Sequence, residues 1–200
     1  EASNDALQHM LASIRQGRRA RVPRMLDRLA AHGVHLSEDD VRAAAGQAHA
    51  LGRPHVADAL VASAVVTSRA EAFDVWLGEG RPAHVAKPAP DLTTALDTVR
   101  AAGGVPVLAH PWGRGSRRAL TEDALVALAR AGLCGLEVDH VDHTDGDRAA
   151  LRAIAARAGL VPTGGSDYHG AGKAGLALGA CTTDEQAYTA LRRLATRVES

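Results

Sequence analysis

From residue 91 onward the sequence alternates amphipathic helical segments with short apolar runs, and that rhythm leaves few folds open. Asp91–Ala102 reads as a helix stopped by Gly103-Gly104, and Val105–Ala109 is short and apolar enough for a buried strand. Thr121–Ala131 is a helix with Thr121 as its cap, followed by a second strand at Gly135–Asp139. Asp145–Ala158, closed by Gly159, leads into a third strand at Leu160–Thr163. The glycine-rich stretch Gly170–Gly179 and a last helix over Asp184–Arg197 complete the pattern. Repeated strand–helix units of this length build a parallel sheet or a barrel.

The first 80 residues have a different texture. Residues 5–31 form one helical pattern with Leu7, Met10, Leu11, Ile14, Met25, Leu26 and Leu29 on one face, and Pro23 is expected to kink or split it. Ser37 can cap a helix whose third residue is Asp40, and that helix is expected to run to about Ala50. A further helix starts at Pro54, and a short one covers 69–78. The stretch Pro82–Pro90 is the expected junction between this all-helical part and the α/β part.

Composition narrows the classes further. The chain has 200 residues, enough for one substantial domain with a smaller one inserted, and its 46% of hydrophobic residues support a core. Aromatics are only 2%, so that core must be built from Ala, Leu and Val. Lys+Arg and Asp+Glu are both 23, so net charge gives no argument for nucleic-acid or membrane binding. No apolar run approaches a membrane span, and the two cysteines, Cys134 and Cys181, read as free thiols in a reducing, cytoplasmic setting.

The chemistry collects where the strands end. His110-Pro111-Trp112 follows the first strand, Asp139-His140-Val141-Asp142-His143 the second, and Gly165-Ser166-Asp167-Tyr168-His169 the third. In a parallel α/β barrel these ends share one face, so His110, Asp167 and His169 are expected to converge. Neutral imidazole with carboxylate suits Zn, Mn or Fe. Taken alone, His140 and His143 read as part of a polar rim loop. Glu137 either points inward or pairs with an arginine.

These residues carry a resemblance. Leu108-Ala109-His110-Pro111, Gly135-Leu136-Glu137-Val138 and Gly165-Ser166-Asp167-Tyr168-His169 resemble the later motifs of the PHP (polymerase and histidinol phosphatase) superfamily. The branch most resembled contains the nucleoside 3′,5′-bisphosphate phosphatases and 5′→3′ RNA exonucleases. The resemblance implies an α/β fold, a partial distorted (β/α)7-type PHP barrel over 86–200 with a helical insertion subdomain over 1–85. It implies hydrolysis of a nucleotide or short RNA phosphoester with two or three divalent metal ions (Mn, Zn or Fe). His110, Asp167 and His169 match metal ligands of the family; Arg18 and Arg21 match basic positions of its insertion and, with His55, would hold a substrate phosphate, for which Arg114, just past the His-Pro pair, is a further candidate. Ala64 stands where a Gly is usual, and Ala86 where a Pro is common. The family's opening His-x-His motif is not found, so a truncated form with an incomplete metal site is expected. Two alternatives stay open: a non-catalytic nucleotide- or RNA-binding remnant using the Arg-rich helix, and another metal-dependent barrel hydrolase of the amidohydrolase kind.

Overall fold

A computed structural model describes residues 4–48, 50–168 and 177–196. The chain divides into two compact units, one over Gln8–Ala89 and one formed by Pro90–Ser200 with Glu1–Leu7.

The helical unit is built by α1 (Asp5–Arg19), α2 (Arg21–Ala30), α3 (Glu38–Ala45), α4 (Arg53–Ala62) and the short α5 (Arg69–Ala72). The expected single helix over 5–31 breaks at Ala20. Pro23 then falls in the first turn of α2, where its missing N–H leaves no ladder bond unmade. α3 opens with the capping box read from the sequence: Ser37 Oγ accepts from the Asp40 amide at 3.1 Å, and the Asp40 carboxylate accepts from the Ser37 amide at 2.8 Å. It ends at Ala45, short of Ala50. α5 continues into a π-helical turn over Phe73–Leu77. Despite its few large apolar residues, this unit has its own core, with Met25, Leu29, Val41, Val56, Leu60 and Leu77 fully buried.

Ala64 shows how the sequence strains this unit locally. The amide of Ala64 donates to Val61 and that of Val65 to Leu60, the paired bonds of a Schellman closure of α4. The closing residue must be left-handed, and Ala64 has φ +56°. An L-residue there carries a steric cost of about 1–2 kcal/mol, which glycine avoids at some cost in unfolded-state entropy. Ala64→Gly should therefore raise stability by roughly 0.5–1 kcal/mol, read as a higher denaturation midpoint at unchanged slope.

The second unit is mixed α/β with a small parallel sheet. Its described strands are β1 (Val107–Leu108), β2 (Gly135–Asp139) and β3 (Val161–Gly164), in spatial order 1-2-3 and parallel throughout. Helix α6 (Leu92–Ala101) precedes β1, α7 (Glu122–Arg130) joins β1 to β2, and α8 (Asp145–Ala158) joins β2 to β3. α9 (Glu185–Thr196) follows. The central strand alternates as the pleat requires: Leu136 and Val138 are fully buried against Leu125, Leu151 and Ile154, while Glu137 faces the other side. Register matters at the strand ends. Gly135 pairs with Val107 and Val161, so the three strands start level and their carboxyl ends lie along the same edge of the sheet. Among the described residues no helix is long and apolar enough to cross a membrane.

Candidate active site at the strand ends and a basic groove

Strand geometry decides what the carboxyl ends of the sheet present. His110 follows β1, Glu137 lies in β2, His140 and His143 follow β2, and Asp167 follows β3. The His110 and His140 rings lie 5.1 Å apart between centroids, and the His140 and His143 rings 5.6 Å.

The polar Asp139–His143 run is not a solvated rim. His140 is 0% exposed and His143 3%. His143 Nδ1 lies 2.8 Å from the Val138 carbonyl, which fixes the proton on that nitrogen, and Nε2 accepts from the Trp112 amide at 3.4 Å. His143 thereby ties the turn after β2 to the one after β1. His140 Nδ1 accepts from the Asp142 amide at 3.1 Å. Its Nε2 is buried with no hydrogen-bond partner among the described residues. Burial pushes the His140 imidazole below the usual histidine range, against the opposing pull of the Glu137 and Asp142 carboxylates. It is therefore neutral at pH 7.

Glu137 does not make the arginine pair that is one of its two sequence readings. Among the described residues it meets no arginine; its Oε2 accepts from the His110 amide at 2.6 Å. Arg152 takes the neighbouring carboxylate instead, holding Asp139 through both oxygens at 2.8 and 2.9 Å. His110 and Asp167 both have left-handed backbones, with φ +29° and +47°. Strained non-glycine residues of this kind persist only where their surroundings over-determine them, and they gather at functional sites.

The expected metal ligands are placed as follows. His110 follows β1 and Asp167 follows β3, on either side of the central strand. His169 lies outside the described residues. Among the described residues no group of three or more His, Cys, Asp or Glu side chains is arranged to hold a metal ion. The donor chemistry nevertheless fits a divalent transition metal: a neutral, buried imidazole nitrogen without a partner stands beside a second imidazole and a carboxylate.

The expected phosphate-binding residues separate into two groups. In the helical unit a groove of about 620 Å³ is lined by Arg18, Arg19, Arg21, Arg42 and Lys87, with Glu38 its one acid. Arg21 anchors one wall, its Nε donating to the Val85 carbonyl at 2.9 Å. Burial, and then the nearby Arg53 guanidinium, lower Arg21 from the usual arginine value. An anion beside Arg21 would offset both effects. His55 does not line the groove; its Nδ1 accepts from the Gly52 amide at 3.1 Å and caps α4. Arg114 lies in the 3-10 turn Gly113–Arg118, and its side chain is outside what the structure describes. Sequence reasoning missed Arg19, Arg42 and Lys87. The scarcity of lysine, two among 23 basic residues, was the one signal that could have marked Lys87.

No protein-family model matches the chain. Individual proteins do. The chain is 31% identical over 179 residues to a 3′,5′-nucleoside bisphosphate phosphatase of Chromobacterium violaceum, covering 90% of this chain and 63% of that protein. It is 29% identical over 160 residues to a 5′-3′ exoribonuclease of Haemophilus influenzae, covering 80% and 58%. It thus spans about three fifths of the length of these curated relatives. A solved structure from Bifidobacterium adolescentis, described as a metal-dependent phosphoesterase, superposes with a TM-score of 0.78 at 36% identity, over 96% of this chain and 68% of that one. At that identity and coverage the chain belongs to the PHP-type, metal-dependent phosphoesterases.

Proposed function

We propose that this chain is the nucleotide-handling part of a metal-dependent phosphoesterase that hydrolyses nucleoside 3′,5′-bisphosphates or the ends of short RNAs. The observation that carries the reading is the groove of the helical unit. In a chain of zero formal charge it gathers five cations around one acid. Clustered guanidinium groups suit phosphate oxygens, which they bind through two parallel N–H bonds. The names of the relatives, a bisphosphate phosphatase and an exoribonuclease, agree with that chemistry.

In this proposal His110, Asp167 and His169 hold the divalent metal, on the face of a partial distorted (β/α)7-type barrel. When bound, such an ion supplies Lewis acidity toward the phosphoryl group. Arg18 and Arg21 take the phosphate that is not cleaved, and Arg114 contributes from the turn after His110. His55 orients the groove by capping α4 beneath Gly52. The helical unit, 1–85 in the sequence reading, is the insertion; the remainder, 86–200, is the barrel part.

The test is phosphate release from adenosine 3′,5′-bisphosphate by the chain supplied with Mn²⁺. Release is expected, and it should stop with a chelator and in His110→Ala. Release that persists with chelator contradicts the assignment. Nucleotide binding without release, indifferent to chelator, would establish the non-catalytic binding protein instead.

A further inference from the structure

We infer that Glu137 is the positioning residue of the strand-end cluster, setting the His110 turn and the loop after β3 through their backbones. Its functional consequence rests on reading His110 as a ligand; the geometry does not. Glu137 sits in the middle of the central strand, between the fully buried Leu136 and Val138, so its backbone has no freedom to follow a moving neighbour. Its Oε2 receives the His110 amide at 2.6 Å, short for an N–H···O bond and typical of a charged acceptor. That amide belongs to a residue with φ +29°, a conformation that needs an external hold.

The other carboxylate oxygen addresses the third strand. A side chain at Gly165 would collide with Glu137 Oε1, and Gly165 cannot withdraw because its amide donates to the Asp139 carbonyl at 3.0 Å. A side chain at Gly165 would therefore have to push the Glu137 carboxylate aside. Two residues further on stands Asp167, also left-handed at φ +47°. One carboxylate therefore fixes the turn after β1 and packs against the loop after β3, the two segments that carry His110 and Asp167.

A positioning residue and a ligand respond differently to substitution. Glutamine retains an oxygen able to accept the His110 amide but is a poor metal ligand and no base. Leucine removes the acceptor. Gly165→Ala displaces the carboxylate while leaving it in the chain. Two readouts on the ¹⁵N-labelled chain decide: the chemical shift and hydrogen exchange of the His110 amide without metal, and Zn²⁺ affinity by calorimetry. In Glu137→Leu and Gly165→Ala the His110 amide should move upfield and exchange faster. Zn²⁺ affinity should fall by about 10–100-fold, as for other groups that orient a ligand. Glu137→Gln should stay near wild type in both. Where Glu137→Leu fails to fold, Gly165→Ala carries the test. An unchanged His110 amide in the leucine and alanine variants overturns the inference. So does a glutamine variant as impaired as the leucine one, because Glu137 would then act directly. A wild-type chain that binds no Zn²⁺ defeats the metal reading, and the amide readout alone then supports or overturns the clamp.

Discussion

Reversing Arg18, Arg21 and Arg42 to Glu should lower affinity for adenosine 3′,5′-bisphosphate by at least about 100-fold, since charge-assisted bonds to one ligand contribute about 1.5–3 kcal/mol each. All three line the same groove with Arg19 and Lys87, so the change turns a strongly cationic wall acidic beside Glu38. The fold should survive. Arg18 and Arg42 are exposed; α1, which carries Arg18, buries no residue, and the buried residue of α3 is Val41 rather than Arg42. Of the three, only Arg21 makes a described bond to the backbone, to Val85, so its replacement should carry the larger stability cost. Salt separates this reading from shape recognition. Binding through about three phosphate contacts predicts an affinity falling with salt at a log–log slope of roughly −2 to −3, flattened in the triple variant. Equal affinity of wild type and variant at low salt would remove the groove from the account.

Much of the fold was legible because its signals are local. The two caps expected from the sequence form, Ser37 with Asp40 and Thr121 with the Ala124 amide, each placing a side-chain oxygen on an orphan amide of the first turn, and Thr144 and Asp91 do the same at α8 and α6. Gly159 ends α8 with a left-handed backbone at φ +68°, as a glycine following a helical run should. The apolar runs at Gly135–Asp139 and 160–163 became strands within a residue or so of the expected limits, and they are parallel because helices separate them. The run expected at Val105–Ala109 yields only Val107 and Leu108 as strand. A closed barrel stays part of the proposal, since the described sheet has three strands.

What escaped the sequence is tertiary. His140 and His143 sit among aspartates and look solvated, yet both are buried: the Val138 carbonyl and the Trp112 amide provide partners for His143 that no spacing reveals, and the Asp142 amide donates to His140. Glu137 could face inward or pair with an arginine by sequence alone; its partner is a backbone amide 27 residues away. Trp112 similarly acquires a cation. Arg117 lies 4.2 Å from its ring centroid while ion-paired to Asp147, which staples the Gly113–Arg118 turn to the start of α8. The helix break at Ala20 falls between Gly17 and Pro23, each three residues away, and neither marks its position.

Removing the His110 imidazole should have the second large effect. His110 follows β1 beside the buried, unpartnered Nε2 of His140, and Asp167 follows β3 across the central strand. If these strand ends hold a divalent ion together with His169, loss of one of the few nitrogen donors should lower affinity by more than the roughly 10–100-fold seen when only an orienting group is lost. Titrating the 200-residue chain with Zn²⁺ and Mn²⁺, with His110→Ala and His169→Ala alongside, examines this directly. The account predicts saturable binding by the wild-type chain and binding lost in both variants. Binding that survives in both variants, or a wild-type chain that takes up neither ion, would contradict it.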